Sequence, residues 1–206
     1  MLDTRFPRIV GDIGNPATFD FQVRYRTVHG ASPHRVVRER DPTLLQPFVE
    51  AGRALVDEGA TAITTGCGFL VLFQRQLQAA LPVPVWTSSL LLLAGLSAAG
   101  VVTVDAGSLR ADHLSAAGAP LDTPVEGLAE GSAFQRSLLN DEAALDTDNA
   151  RAETVAAAVR LTARCPALST IVLECTNMPP YAAAVRAAIG RNVLDITTLL
   201  RQRFQT

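Results

Sequence analysis

Residues 169–181, STIVLECTNMPPY, constrain what this chain can fold into more than any other stretch. Ile171, Val172 and Leu173 form a short apolar run rich in β-branched residues, the composition of a strand buried on both faces. The character then changes at once, to Glu174, Cys175, Thr176 and Asn177. Two prolines follow, and then an alanine-rich run to Ile189. Proline suits the first turn of a helix, where its missing N–H has no partner to lose. The pattern therefore predicts a strand, then Cys175, then a helix. Such a junction offers free backbone N–H groups and the positive end of a helix dipole. A thiol there is expected to ionise more readily than a free cysteine, and an anion to find donors ready.

The arrangement occurs twice. Residues 61–70 read TAITTGCGFL. Ala62, Ile63 and Thr64 again predict a short strand, which ends in Thr65, Gly66, Cys67 and Gly68, with a helix expected over residues 69–80. Cys67 and Cys175 lie about half the chain apart. Two such units predict two similar α/β halves, and halves that face each other place both thiols on one cleft.

Composition narrows the classes. At 206 residues the chain fits one larger domain or two small lobes. Hydrophobic residues make up 48% and charged residues 18%, enough apolar surface for a sizeable core and not a disordered composition. A net charge of −2 gives no general attraction to nucleic acid or to an anionic membrane. The longest apolar stretch, residues 90–100, is too short to span a bilayer, and residues 1–8 do not read as a secretory signal. An odd number of cysteines, three, is not a disulfide framework, so a reducing, cytoplasmic compartment is expected. Every basic residue is arginine. Without a lysine, pyridoxal phosphate chemistry and a Walker-type phosphate loop are both excluded.

The rest of the chain alternates strands and helices. Strands are expected at 8–11, 21–28, 83–86, 101–104, 122–128 and 193–196. Helices are expected at 41–59, 90–99 (apolar nearly all round, with Gly100 as its stop), 109–117, 148–164 and 197–204. This rhythm predicts parallel sheets with helices on both faces. The expected first lobe comprises residues 1–89 and 180–206 with Cys67, and the second comprises 90–179 with Cys175. Asp12 and Asn15 lie in a first loop of turn residues that commonly faces a ligand. His29 and His34 have only His113 as a further histidine, so no metal site is expected. Arg24 and Arg26 read as solvated or as carboxylate partners. Cys165 has no strand end or glycine beside it and reads as structural.

Two facing thiols suit a particular proton transfer. One thiolate removes the proton on a carbon next to a carboxyl group, and the opposite thiol returns a proton to the other face. Backbone N–H groups of Gly68, Phe69, Thr176 and Asn177, with the hydroxyls of Thr65, Ser88 and Thr176, are the expected donors to the carbanion.

The two cysteine motifs, the first loop GDIGNPATFDF and the βα rhythm resemble the aspartate/glutamate racemase superfamily, which includes hydantoin racemases, maleate isomerase and arylmalonate decarboxylase. The resemblance spans most of the chain. Gly14 to Thr18, GNPAT, looks most like the aspartate racemase branch. Many members follow the first cysteine with Asn-Thr, where this chain has Gly68 and Phe69. Glutamate racemases follow the second with Thr-His, where it has Thr176 and Asn177. The resemblance implies two pseudo-symmetric lobes, an active site between them, catalytic Cys67 and Cys175, no cofactor and a homodimer. It also implies a racemase or epimerase acting on a small carboxylate. The alternatives are a decarboxylase or cis–trans isomerase of a small diacid, and a non-catalytic binder of a small anion.

Overall fold

Parallel strands covered on both faces read as unbroken apolar runs, and the central strands here are of that kind. The protein is described by a computed structural model over residues 1–204. The last two residues of the expected first lobe lie outside that range.

The N-terminal part carries helix α1 (Leu45–Asp57), strand β1 (Ile63–Thr64), helix α2 (Gln74–Ala80) and strand β2 (Val85–Trp86). Asp41 caps the 3-10 turn that leads into α1 by accepting the Thr43 N–H at 2.9 Å. Strands β1 and β2 pair in parallel, Ile63 opposite Val85. Next come β3 (Ala99–Thr103), α3 (Ala111–Ala116), β4 (Val125–Gly127), α4 (Ala133–Leu139) and α5 (Thr147–Arg164). Strand β5 (Thr170–Leu173), helix α6 (Ala182–Ile189), strand β6 (Asn192–Leu194) and helix α7 (Ile196–Phe204) complete the fold. The larger sheet has the order β4-β3-β5-β6, parallel throughout, with Val101 beside both Val125 and Val172. The protein is thus α/β, with two parallel sheets flanked by helices.

All four residues of β5 are buried, as its composition requires. Helix α5 lies against the larger sheet through Ala150, Ala157, Ala158 and Leu161, all with no exposure, and small side chains let it approach closely. Asp146 caps α5 by accepting the N–H groups of Asp148 and Asn149. A separate small cluster of Ile13, Phe19, Ile196, Leu199 and Leu200 fastens the first loop to α7. Among the described residues no helix is long and apolar enough to cross a membrane.

Several expected elements differ. Residues 8–11 form no strand: Asp12 donates its N–H to the Ile9 carbonyl at 3.0 Å and Gly11 takes φ +101°, which turns the chain. Its Cβ position would lie 2.9 Å from Pro180 Cα, so only glycine lets these loops meet. Residues 21–28 form no named strand, and their pairing is a single bridge between Leu2 and Val28. The apolar run expected as a helix over 90–99 is a 3-10 segment, Ser89–Gly95. Leu90 and Leu93 are its buried leucines, and in a 3-10 turn residues three apart share one face. Gly100 lies inside β3 rather than stopping a helix, because a Cβ there would come within 2.7 Å of Leu168 Cδ1.

Candidate functional site

The two cysteine loops meet. Cys67 follows β1 in extended backbone and opens a 3-10 segment, Gly68–Phe73, that becomes α-helical only at Gln74. Cys175 follows β5 and enters a turn closed by the Met178 N–H on the Cys175 carbonyl at 3.0 Å. Helix α6 begins only at Ala182. Thr176 Oγ1 donates to the Gly66 carbonyl at 2.9 Å and joins the two loops across 110 positions of sequence. Cys67, Gly68, Phe69, Cys175, Thr176 and Asn177 all line one cavity of about 30 Å³. That is room for a single water, so a small acid enters only when the walls part. Those walls include Leu2, Phe6, Leu138 and Leu139.

Each thiol is held differently. The backbone N–H groups of Phe69 and Leu70 favour the thiolate of Cys67, and the N–H of Asn177 favours that of Cys175. The Cys175 thiol donates to Asn177 Oδ1 at 3.5 Å. Asn177 Nδ2 in turn donates to Asp12 Oδ2 at 2.6 Å, and Asp12 is paired with Arg8 at 3.2 Å. The first loop therefore positions the second cysteine.

The expectation of easily ionised thiols is reversed. Burial, and then the negative charge of Glu174, push the Cys67 thiol up to about 12. The same two causes hold Cys175 well above the ordinary thiol range. The helix-dipole argument fails because neither cysteine opens an α-helix directly, and local N–H groups do not offset the lost solvation.

Glu174 is the group that the sequence reading passed over. It has no exposure, and it lines the same cavity as both cysteines. Its Oε2 accepts from Thr103 Oγ1 at 2.7 Å, while Oε1 has no hydrogen-bond partner among the described residues. That free oxygen lies against Gly68, where any Cβ would collide with it. Burial raises the carboxyl to about 7, with the Thr103 hydrogen bond opposing. The signal in the sequence was a charged residue set directly between an apolar strand and a cysteine.

The other expected site residues divide. Asp12 reaches the site through Asn177. Thr65 is tied to the carbonyls of Cys67 and Thr87, at 3.0 and 2.7 Å, and stiffens the first loop. Asn15 caps a local turn through the Ala17 N–H and holds the Arg8 carbonyl. Ser88 has no exposure and caps the Leu90 N–H at 3.2 Å. Neither Asn15 nor Ser88 lines the cavity. Arg24 and Arg26 both pair with Glu58. His29 and His34 are exposed beside Asp3 and Glu39, while His113 is fully buried and apart from both. Among the described residues no three His, Cys, Asp or Glu side chains are grouped to hold a metal. Cys165 closes α5. A larger cavity, about 320 Å³, lies elsewhere, between residues 22–26 and 61–65, and neither cysteine lines it.

No family profile matches the chain. It is 30% identical over 209 residues to a dimethylsulfoniopropionate lyase of Durusdinium sp. clade D, covering 94% of the chain and 69% of that protein. It is 28% identical over 215 residues to dimethylsulfoniopropionate lyase 7 of Emiliania huxleyi, covering 96% of the chain and 62% of that protein. Unliganded arylmalonate decarboxylase superposes with a TM-score of 0.51 at 18% identity, over 75% of the chain and 70% of that structure. An aspartate racemase of Picrophilus torridus superposes with a TM-score of 0.53 at 14% identity, over 84% and 74%. At such identities the superpositions establish the racemase-superfamily fold alone, and no placement beside aspartate racemases follows. The relatives and the structural neighbours are enzymes. The expected racemase or epimerase activity is corrected here, because the relatives by sequence are named as lyases.

Proposed function

The chain belongs to the dimethylsulfoniopropionate lyase family, and on that footing we propose that it is itself a lyase acting on a small β-sulfonio carboxylate. The observation that carries this reading is the pair of thiols on one small, mostly apolar cavity. Dimethylsulfoniopropionate bears its positive sulfur two carbons from the carboxylate. Removing a proton from the carbon next to the carboxylate lets those electrons form a carbon–carbon double bond. The carbon–sulfur bond breaks with its electron pair staying on sulfur. Dimethyl sulfide leaves neutral, acrylate remains, and one proton stays with the base.

This chemistry uses the cysteines unequally. Inversion needs an acid and a base on opposite faces, whereas elimination needs one base and a neutral leaving group. Cys67 is the better base, because the N–H groups of Phe69 and Leu70 stabilise its thiolate. Cys175, held by Asn177 with less support for an anion, stays protonated and donates to the substrate carboxylate as charge develops there. The apolar walls keep water from the carbanion. The three free cysteines fit a reducing, cytoplasmic setting.

Incubation with dimethylsulfoniopropionate, followed by NMR for acrylate and by gas chromatography for dimethyl sulfide, tests the reading. Both products are expected in equal amounts. Absence of both, with the protein folded, sinks it.

A further inference from the structure

We propose that the Glu174 carboxylate is the counter-charge that receives the sulfonium group of the substrate. The inference rests on the lyase reading and adds to it the basis of substrate choice. Fully buried acidic side chains are costly unless paired, and pairing is what Glu174 lacks. One oxygen is satisfied by Thr103, and the other, packed against Gly68, has no hydrogen-bond partner among the described residues, while the residue lines the same cavity as both cysteines. Gly68 makes room for that oxygen, since a side chain there would displace it. Among the described residues nothing hydrogen-bonds to that oxygen, and Arg8, which acts on the Cys67 thiol, is committed to Asp12 and Thr4. The cavity thus keeps a negative group and no matching positive one at its cysteine end.

A sulfonium cation completes this arrangement. Its charge is spread over the methyl groups and carbons bound to sulfur, so it tolerates an apolar surround such as Leu138 and Val104. It offers no N–H, which suits an oxygen approached across a glycine rather than through a hydrogen-bond donor. The charge also couples binding to chemistry. Glu174 raises both thiols while it stands alone. A cation beside it offsets that charge and brings the thiols down when the substrate is in place. A neutral acid of the same shape gives no such relief, and it therefore neither binds as well nor activates the base.

The test compares two small acids of equal shape. Dimethylsulfonioacetate carries the sulfonium one carbon closer to the carboxylate and cannot undergo the elimination. Its neutral isostere is 3-methylbutanoate. Calorimetric titration of the wild-type protein is expected to give at least about tenfold tighter binding of the sulfonium compound. Glu174→Gln is expected to bring the ratio close to one, and Glu174→Asp to keep part of it. A wild-type ratio near one, or no binding of the sulfonium compound, overturns the proposal even if the variants fail to fold. So does a ratio that Glu174→Gln leaves unchanged. Turnover of dimethylsulfoniopropionate is read separately. Elimination without cation preference removes the role of Glu174 alone, whereas cation preference without elimination removes the lyase reading and leaves the cation site standing.

Discussion

Cys67 and Cys175 occupy equivalent places, each just past a parallel strand, yet their surroundings differ. The first ends a two-residue strand of a two-stranded sheet and is flanked by Gly66 and Gly68. The second ends the fully buried β5 of a four-stranded sheet. Two backbone N–H groups favour the thiolate of Cys67, whereas the thiol of Cys175 is held by a side-chain relay from Arg8 through Asp12 to Asn177. Likeness of position in the chain is therefore not likeness of chemistry. The proposed division of roles, Cys67 as base and Cys175 as proton donor, rests on this difference.

The sharpest way to break this comparison is to remove each thiol in turn. Cys67→Ser is expected to lower turnover of dimethylsulfoniopropionate by about 10³-fold, and Cys175→Ser by about tenfold to a hundredfold. Steady-state release of dimethyl sulfide measures both. Equal losses, or the reverse order, end the division of roles.

Glu174 lies between the two and offers the next test. Its folded value of about 7 stands above the ordinary 4.5. Below pH 4.5 the group is protonated whether the chain is folded or not. Between 4.5 and 7 the unfolded chain gives up its proton first, so stability falls as pH rises, by about 3 kcal/mol in all once pH exceeds 7. Glu174→Gln removes this slope. Its melting temperature is expected to gain on the wild type progressively from pH 4.5 to pH 7.5, and a constant offset across that range contradicts the assignment.

Gly68→Ala probes the seam between the loops. Its Cβ collides with Glu174, and about 2 kcal/mol of stability is expected to be lost, read from denaturant unfolding. A neutral result means the loops separate more easily than their contacts suggest. The smallest effect is expected at Ser88, which sharpens the boundary of the site. Ser88→Ala should cost about 1 kcal/mol as a lost cap and leave turnover unchanged. A large loss of turnover without loss of stability restores Ser88 to the catalytic centre.

The sequence made the alternating fold and both cysteine junctions legible because their signals are local. A β-branched apolar run predicts β5, and the alanine-rich stretch before Cys165 predicts α5. Residues 21–28 have strand composition but little to pair with beyond the short N-terminal segment, and pairing is not a local property. The thiols were misread for the same reason. A junction with a helix start suggests a lowered value, but burial, which only the whole fold sets, raises both thiols, and the carboxylate that adds to it at Cys67 lies more than a hundred residues away in sequence. The free oxygen of Glu174 became visible only with Gly68 placed against it.

The small cavity has a consequence for the survival of the enzyme. Peroxides and alkylating agents attack thiolates, and a protonated thiol is a poor target. With Cys67 and Cys175 held high by burial and by Glu174, these two sulfurs offer oxidants little thiolate in the empty protein. On the proposed mechanism the vulnerable moment coincides with a bound substrate, which then shields the sulfur that it has activated.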